Sequence, residues 1–323
     1  MGNRPMAVDI SVSIINTDNR DLLRECLRSI FEGTQHASLE VFVVDNASRD
    51  GSAEMVSQEF PGVRLIRNER RLRFCANHNR VLRMAGGRHI LILNEDTIIP
   101  PGTFDRVVAF MDAEKDAGAV GLTIRNPDGS LQYSYARFPS LLSTTLLALS
   151  ANRWFQDGHY PFHRLPPDGH PREVDWTNGA CLAVRREAFE EVGLLDEGLL
   201  IYGEETDWCY RLRKAGWKVY YLPDVSIYHY QGKSTSQERP RRRFRINRSA
   251  IYFFRKHYRW PNILALRAML FATSLARLLL WAPIGVWRRH RRRARLEMIY
   301  NWRTIMISLL RDDMFDHELV EIG

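Results

Sequence analysis

The chain, 323 residues long, reads as an α/β protein: a mostly parallel, Rossmann-like sheet flanked by helices, then a helical, basic C-terminal appendage. Short β-branched runs alternate with amphipathic stretches along the N-terminal part, which is the rhythm of βαβ units. Carboxylates close two of these strands and open one later helix. The charge is also segregated, with an acidic first part and an Arg-rich end.

Residues 10–15 form the first predicted strand. The helix expected over 22–32 places Leu23, Cys26, Leu27 and Ile30 at i, i+3, i+4 and i+7, a buried stripe without chemistry. A strand over 40–45 ends on Asp45, a helix covers 52–60, a strand 63–67, a helix 76–86 and a strand 89–94 that runs into Glu95 and Asp96. Runs 119–124 and 130–136 flank Asn126-Pro127-Asp128-Gly129, where Pro presets φ and Gly accepts φ > 0, so a hairpin is expected. A helix opening at Glu204 carries Trp208, Leu212 and Ala215 as its apolar stripe and stops at Gly216. A strand over 218–222 follows, with His229 placed just beyond it.

The net charge of +8 averages two unlike regions, since residues 239–303 carry 18 Lys and Arg against the single acid Glu297. That shift places a boundary near 237–240 and divides the chain into residues 1–237 and 238–323. Within the second part, 262–287 is strongly apolar. Arg267 and Arg277 interrupt it and Pro283 breaks it, so its longest charge-free run, 278–287, is shorter than the ~20 residues of a membrane span. Flanked by the arginine runs 241–243 and 288–295, it is expected to form interfacial helices on an anionic membrane surface. The plain alternatives are a helical bundle packed on the first part, or a contact in a homo-oligomer. Cys26, Cys75, Cys181 and Cys209 form no CxxC pair, which indicates neither a zinc site nor a disulfide scaffold. Residues 1–9 lack an apolar h-region, and Met6 stands where a myristoylation signal needs Ser or Thr. The expected place is the cytoplasm, peripheral on the inner face of the cell membrane.

In open α/β sheets, ligands bind in the crevice outside the carboxyl ends of the strands, so acids delivered there suggest one shared site. The segment Asp45-Asn46-Ala47-Ser48 can face a ligand, or can simply cap the next helix through Ser48 or Ser52. Neither GxGxxG nor GxxxxGK[ST] occurs, so a nucleotide would be held in another way. Asn94-Glu95-Asp96 offers hard oxygen ligands that suit Mg2+ or Mn2+ bridging phosphates; the bland alternative is a solvated loop. Glu204, Glu205 and Asp207 either complement the dipole of a first helical turn or include an ionised general base.

These motifs, in order, resemble the family 2 glycosyltransferases: residues 11–15, Val43-Val44-Asp45-Asn46-Ala47-Ser48, Leu93-Asn94-Glu95-Asp96-Thr97, Asn178-Gly179-Ala180, and Gly203-Glu204-Glu205-Thr206-Asp207 with Arg211-Leu212-Arg213-Lys214-Ala215-Gly216. The resemblance covers roughly residues 9–236, points to the rhamnosyltransferase-like branch, and implies a GT-A fold. It further implies that Asp45 contacts the nucleobase of a nucleotide-sugar donor, dTDP-rhamnose or a UDP-sugar. Asn46, Arg73, Asn77, Asn79, Asn94 and Glu95 would line the donor site. Asp96 would hold the metal, and His229 would ligate it or face the diphosphate, a structural histidine being the plain alternative. Glu205, with Asp207 as rival, would deprotonate the acceptor hydroxyl. Trp176, Asn178, Gly179 and Glu204 would lie on the side of a glycan or polyprenyl-linked acceptor, with Trp176 either a sugar platform or a core residue. Asn94 stands where many relatives have Asp, and Arg73 where they often have Gly. A nucleic-acid binder would leave the acidic positions unexplained and shows no RNP, KH or zinc-finger pattern. A glycosidase needs no nucleotide or metal site. A basic binding module on a degenerate transferase fold is the remaining alternative.

Overall fold

The computed structural model describes residues 8–149, 162–163, 169–199, 202–230, 239–284, 291–311 and 313–315. Most of the N-terminal stretch, the Gln231-Gly232-Lys233 segment after His229 and part of the 288–295 arginine run lie outside the described residues. The parallel half begins with β1 (Ile10–Asn16), α1 (Arg20–Gly33), β2 (Leu39–Asp45), α2 (Ser52–Glu59), β3 (Arg64–Arg67), α3 (Phe74–Leu82) and β4 (His89–Asn94). Then come β5 (Thr97–Ile98), α4 (Thr103–Ala113), β6 (Ala117–Arg125), β7 (Tyr135–Ala136), α5 (Leu141–Ala148), β8 (Phe162–His163), β9 (Arg172–Glu173) and β10 (Trp176–Thr177). The chain ends through β11 (Cys181–Arg185), α6 (Arg186–Val192), α7 (Glu204–Lys214), β12 (Lys218–His229), α8 (Arg239–His257), α9 (Trp260–Ile284) and α10 (Arg291–Leu309).

The main sheet runs β3-β2-β1-β4-β11-β6-β12-β5, with β9 joining β12 at its side. Strands β3, β2, β1 and β4 are mutually parallel, whereas β11 is antiparallel to both β4 and β6. The order reverses between β1 and β4, so the crevice for a ligand opens at their carboxyl ends. Strand β2 shows why its sequence reads as a continuous apolar run. Val41 and Val43 belong to one core cluster, Phe42 and Val44 to the other, so the strand is buried on both faces.

Four expectations change. The Asn126–Gly129 turn forms, with Gly129 N–H donating to Asn126 O at 2.8 Å, but its arms meet at one bridge, Arg125 to Leu131. The following segment leaves to pair as β7 with β10 and β8 in a separate three-stranded sheet. Ala215 is exposed, and the buried side of α7 is Trp208, Cys209 and Leu212. Strand β12 does not stop at residue 222: a register shift between Leu222 and Ser226 absorbs Pro223, and the ladder continues through His229. Finally, Arg267, Arg277 and Pro283 do not interrupt α9, which is one helix of 25 residues with Pro283 near its end.

By packing, the chain forms two compact units. The first comprises 1–138, 162–197 and 205–235; the second comprises 139–161, 198–204 and 236–323. The second unit therefore takes more than the residues beyond 237. Within it, Tyr258 Oη donates to Pro139 O at 2.7 Å, and Arg248 donates to Gly198 O at 2.9 Å.

Candidate active site

The carboxyl edge of the parallel strands is set by register. Asn16 at the end of β1 lies opposite Asp45 of β2, and Ile15 lies opposite Asn94 of β4. Asp45 and Asn94 are therefore two strand spacings apart, ~10 Å across the sheet. Asp18 and Ala47, in the loops after β1 and β2, have φ of 53° and 58°, a region that non-glycine residues seldom adopt. The two loops hold each other: Ser48 Oγ accepts from Asp18 N–H at 3.1 Å, and Asp18 Oδ1 accepts from Arg49 N–H at 2.6 Å. Ser48 and Ser52 do not cap α2, whose N-cap is Gly51.

Asp45 is 4% exposed. Its Oδ2 accepts from Ser48 N–H at 3.2 Å, while Oδ1 is buried with no protein partner. A buried carboxylate oxygen of this kind is costly unless a donor reaches it. Asn46 beside it does structural work: Oδ1 accepts from Leu72 N–H at 2.7 Å, and Nδ2 donates to Leu72 O at 3.1 Å. Asn68 completes the clamp by donating to Asn46 Oδ1 at 3.0 Å and Asn77 Oδ1 at 2.7 Å. Asn46 and Asn77 thus fix the segment 68–72 next to Asp45, and Arg73 follows as the half-buried N-cap of α3. Asn79 departs from the donor-lining expectation. Its amide donates to Leu195 O and Glu197 Oε1, each at 2.9 Å, and accepts from Leu195 N–H at 3.0 Å, so it is a clasp between α3 and the chain after α6.

The second cluster lies at the end of β4. Asp96 is 2% exposed, and its Oδ1 is 3.2 Å from His229 Nε2. Gln132 fixes the ring. Its amide N–H groups go to His229 O at 2.9 Å and Asn126 Oδ1 at 2.8 Å, which turns Oε1 toward His229 Nδ1 at 3.0 Å. In the neutral ring Nδ1 therefore carries the proton, and Nε2 keeps a lone pair, accepting from Asn94 Nδ2 at 3.2 Å. With the ring neutral, two buried electron-pair donors face each other without a hydrogen between them, whereas a protonated ring would pair with Asp96 as an ion pair. Their separation matches adjacent ligands of an octahedral ion with ~2.1 Å bonds, which lie about 3 Å apart. The oxygen and imidazole set suits Mg2+ or Mn2+. Among the described residues, no three His, Cys, Asp or Glu side chains converge as a metal site. Tyr230 N–H bonds Asp96 O at 2.9 Å and braces the pair. Glu95 accepts from Asn19 Nδ2 at 2.8 Å; burial, followed by the charge of Asp96, pushes its carboxyl up to about 7.

Glu205 joins this edge through the loop 178–180. A Cβ on Gly179 would lie 3.7 Å from the Glu205 side chain, and the next residue, Ala180, accepts from Asn94 N–H at 3.0 Å. Asn178 holds the loop by accepting from Ala180 N–H at 2.9 Å. Glu205 is half-buried, whereas Asp207 is 1% exposed and accepts from Arg211 Nε at 2.9 Å. Arg211 also binds the carbonyls of Val192, Gly193 and Leu194, so Asp207 anchors the segment between α6 and α7. Trp176 is a core residue and not a sugar platform: it is buried in the apolar cluster, and its indole N–H donates to Arg137 O at 2.9 Å. Glu204, buried at the start of α7, belongs to the second compact unit.

Comparison with known proteins bears on the family and the fold. The family model described as glycosyltransferase like family 2 matches residues 7–248. An N-acetylglucosaminyl-diphospho-decaprenol L-rhamnosyltransferase from Mycobacterium tuberculosis is 32% identical over 264 residues, covering 74% of this chain and 85% of that protein. The rhamnosyltransferase WbbL of Escherichia coli K12 is 27% identical, covering 55% of this chain and 60% of its own. A mannosyltransferase from Pyrobaculum calidifontis, solved with GDP-Man and Mn2+, shares the fold at TM-score 0.55 and 19% identity, covering 93% of this chain and 86% of that one.

Proposed function

This chain belongs to the family 2 glycosyltransferases, and on that premise we propose that it is an inverting, metal-dependent rhamnosyltransferase. The donor is dTDP-rhamnose and the acceptor a hydroxyl of a prenyl-diphosphate-linked sugar at the inner face of the cell membrane. The observation that carries the reading is the facing pair Asp96 Oδ1 and His229 Nε2, 3.2 Å apart and buried at the edge that also receives Asp45 and Glu205. The names of the rhamnosyltransferase relatives support the sugar and the lipid-linked acceptor.

Asp45 Oδ1 awaits a donor, and the imide N–H of thymine or uracil supplies one, whereas cytosine presents an acceptor at that ring position. Asn46 and Asn68 keep the pocket floor rigid, so the base is read by a pre-organised group. Asp96 and His229 would hold Mg2+ or Mn2+. When bound, the ion supplies Lewis-acid stabilisation of the diphosphate leaving group. Glu205 accepts the proton of the acceptor hydroxyl as that oxygen attacks the anomeric carbon. The bond from the anomeric carbon to the phosphate oxygen breaks on the opposite face, its electron pair leaves with dTDP, and the configuration inverts.

A thermal-shift panel of UDP, dTDP, GDP and CMP, each with and without Mn2+, tests the donor site on wild type and Asp96→Ala. A ligand that binds only the folded state raises its stability by mass action. The expected result is a shift by dTDP or UDP that needs Mn2+ and is lost in the variant. No shift with any nucleotide overturns the transferase reading.

A further inference from the structure

Helix α9 has a feature that its sequence conceals. From Trp260 through Pro283 every exposed residue is apolar, and Trp260, Leu264, Ala268, Ala272, Leu275 and Leu279 follow one another at helical spacing. Trp260, Leu264 and Leu279 are each more than half exposed. The two arginines within this stretch do not interrupt the stripe because they bond other helices of the same unit. Arg267 donates to Ser308 O at 3.3 Å and Leu310 O at 3.1 Å at the end of α10, and Arg277 donates to Ala148 O at the end of α5. A cation at a helix C-terminus is favoured by the exposed carbonyls and by the helix dipole. The outcome is an unbroken apolar face along a helix of 25 residues, ~37 Å long at 1.5 Å per residue.

We propose that this outer face of α9 lies in the plane of an anionic membrane, immersed to the depth of its leucines, and that it docks the enzyme on the leaflet holding its lipid acceptor. The proposal deepens the functional reading above and rests on it only for the acceptor. Charge selects the occupant. Exposed Arg255, Lys256 and Arg259 precede the stripe, exposed Arg292, Arg293 and Arg295 follow it, and the whole region 239–303 carries 18 basic residues against one acid. A second copy seated on the stripe would bring equal positive charge against it, whereas anionic headgroups neutralise both ends. The helix is long and apolar enough to cross a bilayer. Crossing would require Arg267 and Arg277 to leave the α10 and α5 carbonyls and enter hydrocarbon, where a charged side chain is costly. Immersion of one face, ~5–10 Å deep, keeps those bonds.

The test is vesicle flotation of the purified full chain, wild type against Leu275→Glu/Leu279→Glu. The vesicles are phosphatidylglycerol with phosphatidylethanolamine, or phosphatidylcholine alone. Wild type is expected to float with the anionic vesicles, to weaken in high salt, and to be released by alkaline carbonate. The variant is expected to bind on the order of tenfold or more weakly, since two buried leucine contacts become carboxylates facing anionic lipid. The dTDP-dependent thermal shift should be equal in both proteins, so a failed donor reading shows as a missing shift and a failed docking reading as unchanged flotation. Equal flotation of the two proteins overturns the proposal, as does retention of wild type after carbonate, which means a spanning helix. A wild-type dimer that the variant dissolves assigns the stripe to a second copy and also overturns it.

Discussion

Gln132 lies outside the sequence motifs quoted above, yet its amide sets which nitrogen of His229 faces Asp96. Replacing it with Met, similar in volume and without hydrogen bonds, removes the acceptor 3.0 Å from Nδ1 and leaves His229 O and Asn126 Oδ1 without their donor. The ring is then free to change tautomer or turn. Losing such a support around a metal ligand typically costs 10–100-fold in metal affinity, about 1.4–2.7 kcal/mol. The orphaned carbonyl should cost a further ~1–3 kcal/mol in stability. Gln132→Glu separates these effects, because it keeps an acceptor at Nδ1 and loses both donors. The assay is Mn2+ binding in the presence of dTDP, followed by the electron paramagnetic resonance signal of the free ion, beside denaturant melts. Gln132→Met should lose Mn2+ affinity and stability, while Gln132→Glu loses stability and keeps Mn2+ affinity near wild type. Wild-type Mn2+ affinity in both variants, or equal losses in both, would mean that the Gln132 acceptor does not orient His229 for the ion.

Glu205→Gln should lower kcat by ~10²–10⁴ with donor binding intact, the usual contribution of a general base; steady-state kinetics checks this. Asp207→Asn should instead lower the melting temperature, because it weakens the bond to Arg211 that anchors residues 192–194. Asp45→Asn should weaken dTDP by ~10–100-fold, the size of a lost charge-assisted hydrogen bond, while leaving Mn2+ dependence unchanged, as titration calorimetry can show. Acid should destabilise the fold through two buried histidines, His78, lowered to about 3 by burial, and His89, lowered to about 4 by burial and then by the nearby Arg185. Both are neutral when folded and take a proton near 6.5 when unfolded, so stability is full above that pH. It declines as pH falls toward the folded values, at up to about 1.4 kcal/mol per pH unit for each. His89→Leu should flatten this limb in denaturant melts.

The parallel half of the fold is legible because β1, β2 and β4 are buried on both faces and so read as short runs rich in Ile, Val and Leu that end in polar residues. The stripe of α1 was legible for the complementary reason, a regular helical period with one buried face. Strand β12 was read short because Pro223 looks like a terminator, and only the pairing with β6 reveals the irregularity that carries the strand on to His229. The single helix α9 was hidden because Arg267 and Arg277 count as interruptions until their long-range carbonyl partners are seen. At the site, acids at strand ends announce themselves. The residues that hold them do not: Asn68 and Gln132 act through partners 6 to 97 positions away, and nothing in their local sequence sets them apart. Trp176 illustrates the same limit, since an aromatic near a motif is equally suited to a sugar and to a core.

The most direct measurement is in vitro transfer with dTDP-rhamnose, Mn2+ and a prenyl-diphosphate-linked N-acetylglucosamine acceptor for wild type and Glu205→Gln, the product read by mass spectrometry and its anomeric configuration by NMR. Wild type should add one rhamnose, inverted at the anomeric carbon, and Glu205→Gln should lose turnover while still binding dTDP with Mn2+. Retention of anomeric configuration, or a Glu205→Gln enzyme as active as wild type, would contradict an inverting mechanism with Glu205 as its base.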